Sequence, residues 1–140
     1  MKFEFLEHTA DIKFQAFGKS LEEVFANSAL AMFNSMFDGK VERKKKERFS
    51  FQLEGGGLEG ALYSFLEEFL VLFDSKGFFL GEIKKLKIEE KSGAYFIECE
   101  FVGDKAKNYK ISLDVKAITY SEMFVKQEKG KWISQVVLDV

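Results

Sequence analysis

A chain of 140 residues, 46% of them apolar and 17 of them phenylalanine, can bury a core of its own and reads as one domain, 1–140; so many large hydrophobes exclude a disordered segment. The 21 basic and 23 acidic residues nearly cancel to a net charge of -2, which excludes the strongly basic footprint of a stand-alone nucleic-acid binder. One cysteine, Cys99, allows no internal disulfide and points to a reducing cytoplasm.

The chain opens on a strand-like alternation, Lys2 to Glu7, rather than on a charged start and an apolar run, so no secretory leader is expected. After the polar step His8-Thr9-Ala10-Asp11, the segment Ile12 to Phe17 alternates again, with Ile12, Phe14 and Ala16 on one face. Ser20 and Glu23 form a capping box. Leu21, Val24, Phe25, Ser28, Ala29, Met32, Phe33 and Met36 then recur at helical spacing up to an Asp38-Gly39 stop. Arg43 and Lys44-Lys45-Lys46, with Arg48, are read as a solvated strand start that discourages edge pairing rather than as a phosphate patch. Phe49, Phe51 and Leu53 face inward from that strand.

Gly55-Gly56-Gly57 gives a turn into a second helix, Leu58 to Phe73, whose apolar residues cover more than one stripe and predict burial on more than one side. Its longest apolar run, Phe69 to Phe73, is far short of a membrane span. From Phe78 onward the pattern is strands: Glu82 to Glu90, Tyr95 to Val102, Lys110 to Ile118, Met123 to Glu128 and Lys131 to Asp139, with Gly93, Gly103-Asp104 and Gly130 at the turns. The sum is an α+β fold, βαβα followed by an antiparallel strand meander, with two helices packed on a sheet.

Standard catalytic signatures are missing. The triple glycine lacks the Lys-Ser/Thr of a phosphate-binding loop. Cys99 alternates with Tyr95, Ile97 and Phe101, as a small core residue does, and the single histidine argues against Cys/His or Ser/His catalysis. Two acidic positions resist that structural reading. Asp11 either caps backbone donors in a turn or serves a site. Asp139 shares a face with Ile133 and Val137 in what reads as a central strand, so it is expected to be partly buried and to need compensation. The terminal carboxylate of Val140 adds a charge beside it. If Asp11 converges there, three carboxylates meet and would repel without a hard divalent cation, to which His8 would be an additional ligand or an orienting donor.

These residues also carry a resemblance. Phe5-Leu6-Glu7-His8-Thr9-Ala10-Asp11-Ile12 resembles the N-terminal signature of the archease family, and Gly18-Lys19-Ser20-Leu21-Glu22-Glu23-Val24-Phe25 its helix start. Lys116-Ala117-Ile118-Thr119-Tyr120 is similar to a late Lys-Ala-Val-Thr-Tyr motif, and Asp139-Val140 to the family's ending. The four matches run in order along the whole chain. Three positions depart: Ser121 stands where a histidine is usual, Gly103-Asp104-Lys105 where Gly-Glu-Pro is, and a glycine near Gly57 where an acidic residue is.

The resemblance implies a cytoplasmic accessory protein rather than an enzyme. Archeases act with the GTP-dependent RtcB-type RNA ligase of tRNA splicing, promoting its guanylation and multiple turnover. The metal site is carried over to Asp11, Asp139 and the Val140 carboxylate, with His8 and Lys116 as accessory candidates. The expected ion is Ca²⁺, with Mg²⁺ or Mn²⁺ as alternatives, and contact with RNA is expected to be indirect or weak. Two other readings compete: a metal-dependent phosphoester hydrolase on the same carboxylates, and a chaperone-like module using exposed phenylalanines. The first lacks a second base cluster and a basic surface for RNA; a core explains the phenylalanines more simply than the second.

Overall fold

The computed structural model describes residues 1–37 and 47–140. The Asp38-Gly39 stop and the Arg43 to Lys46 basic run lie outside the described residues. Two short strands, β1 (Phe3–Leu6) and β2 (Ile12–Gly18), form a hairpin whose loop holds the polar step, and helix α1 (Leu21–Met36) follows. Ser20 caps it as the sequence predicts, its Oγ accepting from Glu23 N at 3.1 Å. The Glu23 carboxylate reaches one residue further out than in the standard box, to Lys19 N.

Strand β3 (Glu47–Gly56) runs without a loop into helix α2 (Gly57–Lys76). Gly57 has φ +70°, a left-handed turn that an acidic side chain would enter only with strain, which accounts for glycine there. Strands β4 (Phe78–Lys91), β5 (Ala94–Lys105), β6 (Ala117–Glu128) and β7 (Lys131–Asp139) complete the chain. Ser92-Gly93 and Lys129-Gly130 both have positive φ, as two-residue type I′ hairpin turns require.

The α+β class stands, but the strands divide into two sheets rather than one: β1-β2-β7-β6 and β3-β5-β4. Both helices touch both sheets: α1 packs on β2, β4 and β7, while α2 packs on β6 and β3 and reaches β4 and β5. Eight phenylalanines, Phe14, Phe25, Phe33, Phe65, Phe69, Phe78, Phe79 and Phe101, are fully buried in the shared core. Their rings meet mostly edge to face, as Phe33 does with Phe69, Phe73 and Phe79, a geometry worth about 0.5–1.5 kcal/mol per pair beyond area burial. The buried serines Ser28 and Ser134 satisfy one another by a 2.8 Å bond.

Two sequence expectations are corrected. It is α1 whose buried residues wrap around the helix, from Val24, Phe25 and Asn27 to Met36. Helix α2 buries a single stripe, Ala61, Leu62, Phe65, Leu66, Phe69 and Leu70, and leaves Val71 exposed. Nor is the stretch expected from Lys110 to Ile118 a strand before Ala117, where β6 begins. Ser112 and Leu113 donate instead to Met36 O at the end of α1, so this segment caps a helix and carries the chain between sheets. Its alternation reflects the burial of Val115, not a ladder.

Candidate functional site

Antiparallel register determines what meets at one end of the first sheet. Ile12 pairs with Leu138, and Leu138 with Ile118 on its other side. Asp11 therefore enters β2 where Asp139 leaves β7, and Asp139 in turn pairs with Ala117. Lys116 N donates to Asp139 O at 2.8 Å. The Val140 side chain packs against the core and holds the tail down. Asp11, Lys116, Asp139 and Val140, far apart in sequence, thus share one end of one sheet.

Asp139 is exposed, not partly buried as its strand pattern suggests. The strand is central, but this residue is its last, on the face away from the fully buried Leu138. Lys116 is exposed as well. Asp11 is about one-third exposed, and with His8 it lines an open depression together with Leu6, Glu7, Thr9 and Ile12.

His8 is three-quarters buried and joins two carboxylates from opposite sides. Its Nε2 lies 2.9 Å from Glu122 Oε2, and its Nδ1 lies 3.7 Å from Asp11 Oδ2, beyond hydrogen-bond reach. Lys13 Nζ donates to the other Glu122 oxygen at 3.2 Å. The hydrogen bond from His8, and next the one from Lys13, hold the Glu122 carboxyl below the usual carboxylate range.

Glu122 stands on a bulge of β6. Thr119 pairs with Val137 and Phe124 with Gln135, so the residues from Tyr120 to Met123 sit opposite Val136 alone. The bulge is fixed on both sides. Gln135 Nε2 donates to Glu122 O at 2.7 Å, with Gln15 bonded behind it. Tyr120 stacks on Tyr63 of α2 at 4.4 Å with the rings nearly parallel. Glu122 has φ +54° and Ala10 φ +66°. Two non-glycine residues in the left-handed region therefore flank His8, a cost met only where the surroundings over-determine the backbone.

Sequence reading did not identify Glu122 or Lys13. The signal was present: Ile118 and Val125 both face the core, an odd separation that no unbroken strand allows. Of the positions where the family pattern breaks, Asp104 is buried and accepts from Lys105 N and Asn108 Nδ2, a structural role. Ser121 lies exposed on the bulge.

The donor chemistry suits a hard divalent cation. Among the described residues no three His, Cys, Asp or Glu side chains group closely enough to hold one by themselves, so a cation here would need the Val140 carboxylate as a main-chain contribution. The observation that favours the fit is His8 Nδ1, which is buried, has no hydrogen-bond partner and faces a carboxylate oxygen. Among the described residues no helix is long and apolar enough to cross a membrane.

Comparison with known proteins agrees with the family resemblance. The model of the archease protein family (MTH1598/TM1083) matches residues 3–140. Proteins named archease from Methanosarcina barkeri and Pyrococcus furiosus are each 39% identical to this chain, covering 99% of it and 96% and 99% of their own lengths. The solution structure of protein 1598 of Methanobacterium thermoautotrophicum superposes with a TM-score of 0.83 at 33% identity, covering 99% of both chains. A crystal structure from Thermotoga maritima, described as an archease and possible chaperone, shares the fold at a TM-score of 0.58 and 20% identity, over 96% of this chain and 94% of that one. With residues 3–140 matched by the family model and relatives 39% identical over nearly the full length, the chain belongs to the archease family.

Proposed function

We propose that this protein is a cytoplasmic, non-catalytic activator of a GTP-dependent RtcB-type RNA ligase in tRNA splicing. It works through a divalent-cation site formed by Asp11, Asp139 and the C-terminal carboxylate of Val140. The observation that supports this reading is the pairing of Ile12 with Leu138, by which β2 begins and β7 ends at the same end of one sheet. Negative groups sharing an exposed sheet end would repel one another, and a cation between them would relieve that repulsion. When bound, the cation neutralises that charge and presents a Lewis-acidic centre at the tip of the molecule. The chain's own residues hold and aim it: Val140 anchors the tail in the core, Lys116 N fixes the Asp139 carbonyl, and the hairpin loop presents Asp11.

A ligase pocket that binds GTP phosphates and metal is a natural target for such a tip. The exposed position of Asp139 leaves the site free to approach it. The large exposed apolar residues Met1, Phe5, Val71, Phe96, Ile111 and Tyr120 are spread over different segments, as on most soluble surfaces. They give the chaperone-like reading no support.

The test is ligase guanylation and multiple-turnover joining, measured with and without this protein. Asp11→Ala and Asp139→Ala should each reduce the stimulation on the order of tenfold or more while leaving far-UV circular dichroism unchanged. Full stimulation by both variants would end the proposal.

A further inference from the structure

Each sheet has two edge strands, and three of these four are blunted. Strand β1 is only 4 residues long. Strand β6 is interrupted by its bulge between Thr119 and Phe124, and β4 shifts register between Leu80 and Glu82 and again between Ile83 and Lys85. Short length and bulges are common ways to keep a second strand off a sheet edge. Strand β3 has neither. Its 10 residues pair one for one with β5, from Glu47 opposite Gly103 to Gly56 opposite Ala94, without a shift. Among the described residues no strand lies on its other side.

The side chains of β3 alternate. Phe49, Phe51 and Leu53 face the core yet stay only half-buried, while Arg48, Ser50, Gln52 and Glu54 are exposed on the opposite face. A strand added at this edge must keep both faces matched, because a slip of one residue turns every side chain over. A second copy related by a two-fold axis must also pivot on a single residue. Pivoting on Phe51 sets that ring against its own copy, and sets Phe49 against Leu53, Ser50 against Gln52 and Arg48 against Glu54, the last three pairs twice over. Apolar meets apolar, polar meets polar, and the two charges are opposite. Pivoting on Ser50 or Gln52 loses the Arg48–Glu54 pair, and a parallel copy in register puts Arg48 on Arg48 and Glu54 on Glu54. Unlike charges directly opposed across strands stabilise the pairing, and like charges oppose it.

From this pattern we infer that β3 is a self-association edge: a second copy of the chain pairs antiparallel with it about Phe51, joining the two small sheets into one. Arg48 discourages other strands and other registers, as its place at the strand start suggests, and in this register it makes the selecting contact. Within one chain Arg48 Nη2 lies 3.5 Å from Glu100 Oε2 with both side chains well exposed, a pair worth little in water, which leaves the guanidinium available to Glu54 of the second copy. The pairing also covers what remains exposed of Phe49, Phe51 and Leu53. It uses no residue of the cation site proposed above, which lies on the other sheet.

Sedimentation equilibrium of the full chain tests the inference. The wild type should pass from monomer to dimer with a Kd on the order of 10–100 µM, as suits an interface below the standard size. Arg48→Glu and Glu54→Arg should each weaken the dimer on the order of tenfold or more, since each sets two like-charged pairs face to face. The double variant, Arg48→Glu with Glu54→Arg, keeps the wild-type net charge and should restore it. Register is read separately by mild oxidation. Ser50→Cys mixed with Gln52→Cys should form a disulfide dimer faster than either variant alone, because the unlike positions are directly opposed and the like ones diagonal. Cys99 is buried and offers no competing thiol. All these positions are exposed, so far-UV circular dichroism should not change. A chain that stays monomeric up to about 1 mM would overturn the pairing and leave the β3 edge to a strand of a different chain. A dimer indifferent to both charge reversals, or one that the double variant does not restore, would overturn its assignment to β3 in this register.

Discussion

Cys99 projects from β5 between Ile97 and Phe101 and is 1% exposed. Burial, and after it the neighbouring Glu100 carboxylate, push its thiol up to about 12. An unfolded thiol titrates near about 8.5, so the unfolded chain sheds this proton first as the pH rises. The thiol therefore takes nothing from stability below about pH 8.5 and erodes it progressively from there toward pH 12. Reactivity follows the same sign. At pH 8 the native thiolate fraction is on the order of 10⁻⁴, so alkylation by iodoacetamide should be roughly a thousandfold slower in native protein than in guanidinium. Rapid labelling of the native chain would show that the strand does not turn Cys99 inward. That orientation follows from alternation alone, because Tyr95, Ile97 and Phe101 share its side of the strand. The placement of Asp139 could not be read the same way, since alternation gives the face but not whether anything covers the strand's final residue.

Secondary-structure elements were recoverable from sequence where each obeys its own period. Helix α1 runs over the residues that its spacing predicts, Leu21–Met36, and β7 over Lys131–Asp139. Periodicity failed where the backbone partners come from elsewhere: the segment before β6 bonds to the end of α1, and the β6 bulge slips the phase between Ile118 and Val125. Neither partner is local: the first leaves no local pattern, and the second only the odd separation of two apolar residues. Two glycines show the same division between local and tertiary causes. A Cβ on Gly103 in β5 would overlap the Phe79 carbonyl oxygen and come within 2.6 Å of the Phe78 ring. Gly103→Ala should therefore cost about 2–3 kcal/mol through forced displacement of β4. Gly60, early in α2, has nothing within 4 Å of such an atom, and Gly60→Ala should stabilise the helix by about 0.5–1 kcal/mol. Urea unfolding reads both as opposite shifts in midpoint at constant slope. Equal shifts would mean that β4 does not press on Gly103.

The antiparallel order of the first sheet sets the chain's two ends at its opposite ends. The N-terminal residues lie at the end of the first sheet where Gly18 pairs with Trp132, and Met1 borders Phe17, Gly18 and Lys131 there. The tail lies at the other end, beyond Ile12 and Leu138. The seven residues of β2 between them span about 20 Å at the usual rise per residue, too far for one end to disturb the other through screened charge. This yields an asymmetric test of the proposed site. Residues appended after Val140 convert its carboxylate into a neutral amide and force the chain past a side chain packed on the core. An N-terminal tag of the same length changes neither. The C-terminal extension should weaken Ca²⁺ binding on the order of tenfold or more by titration calorimetry, and the N-terminal tag should leave it unchanged. Equal affinity in both would remove the terminal carboxylate from the site.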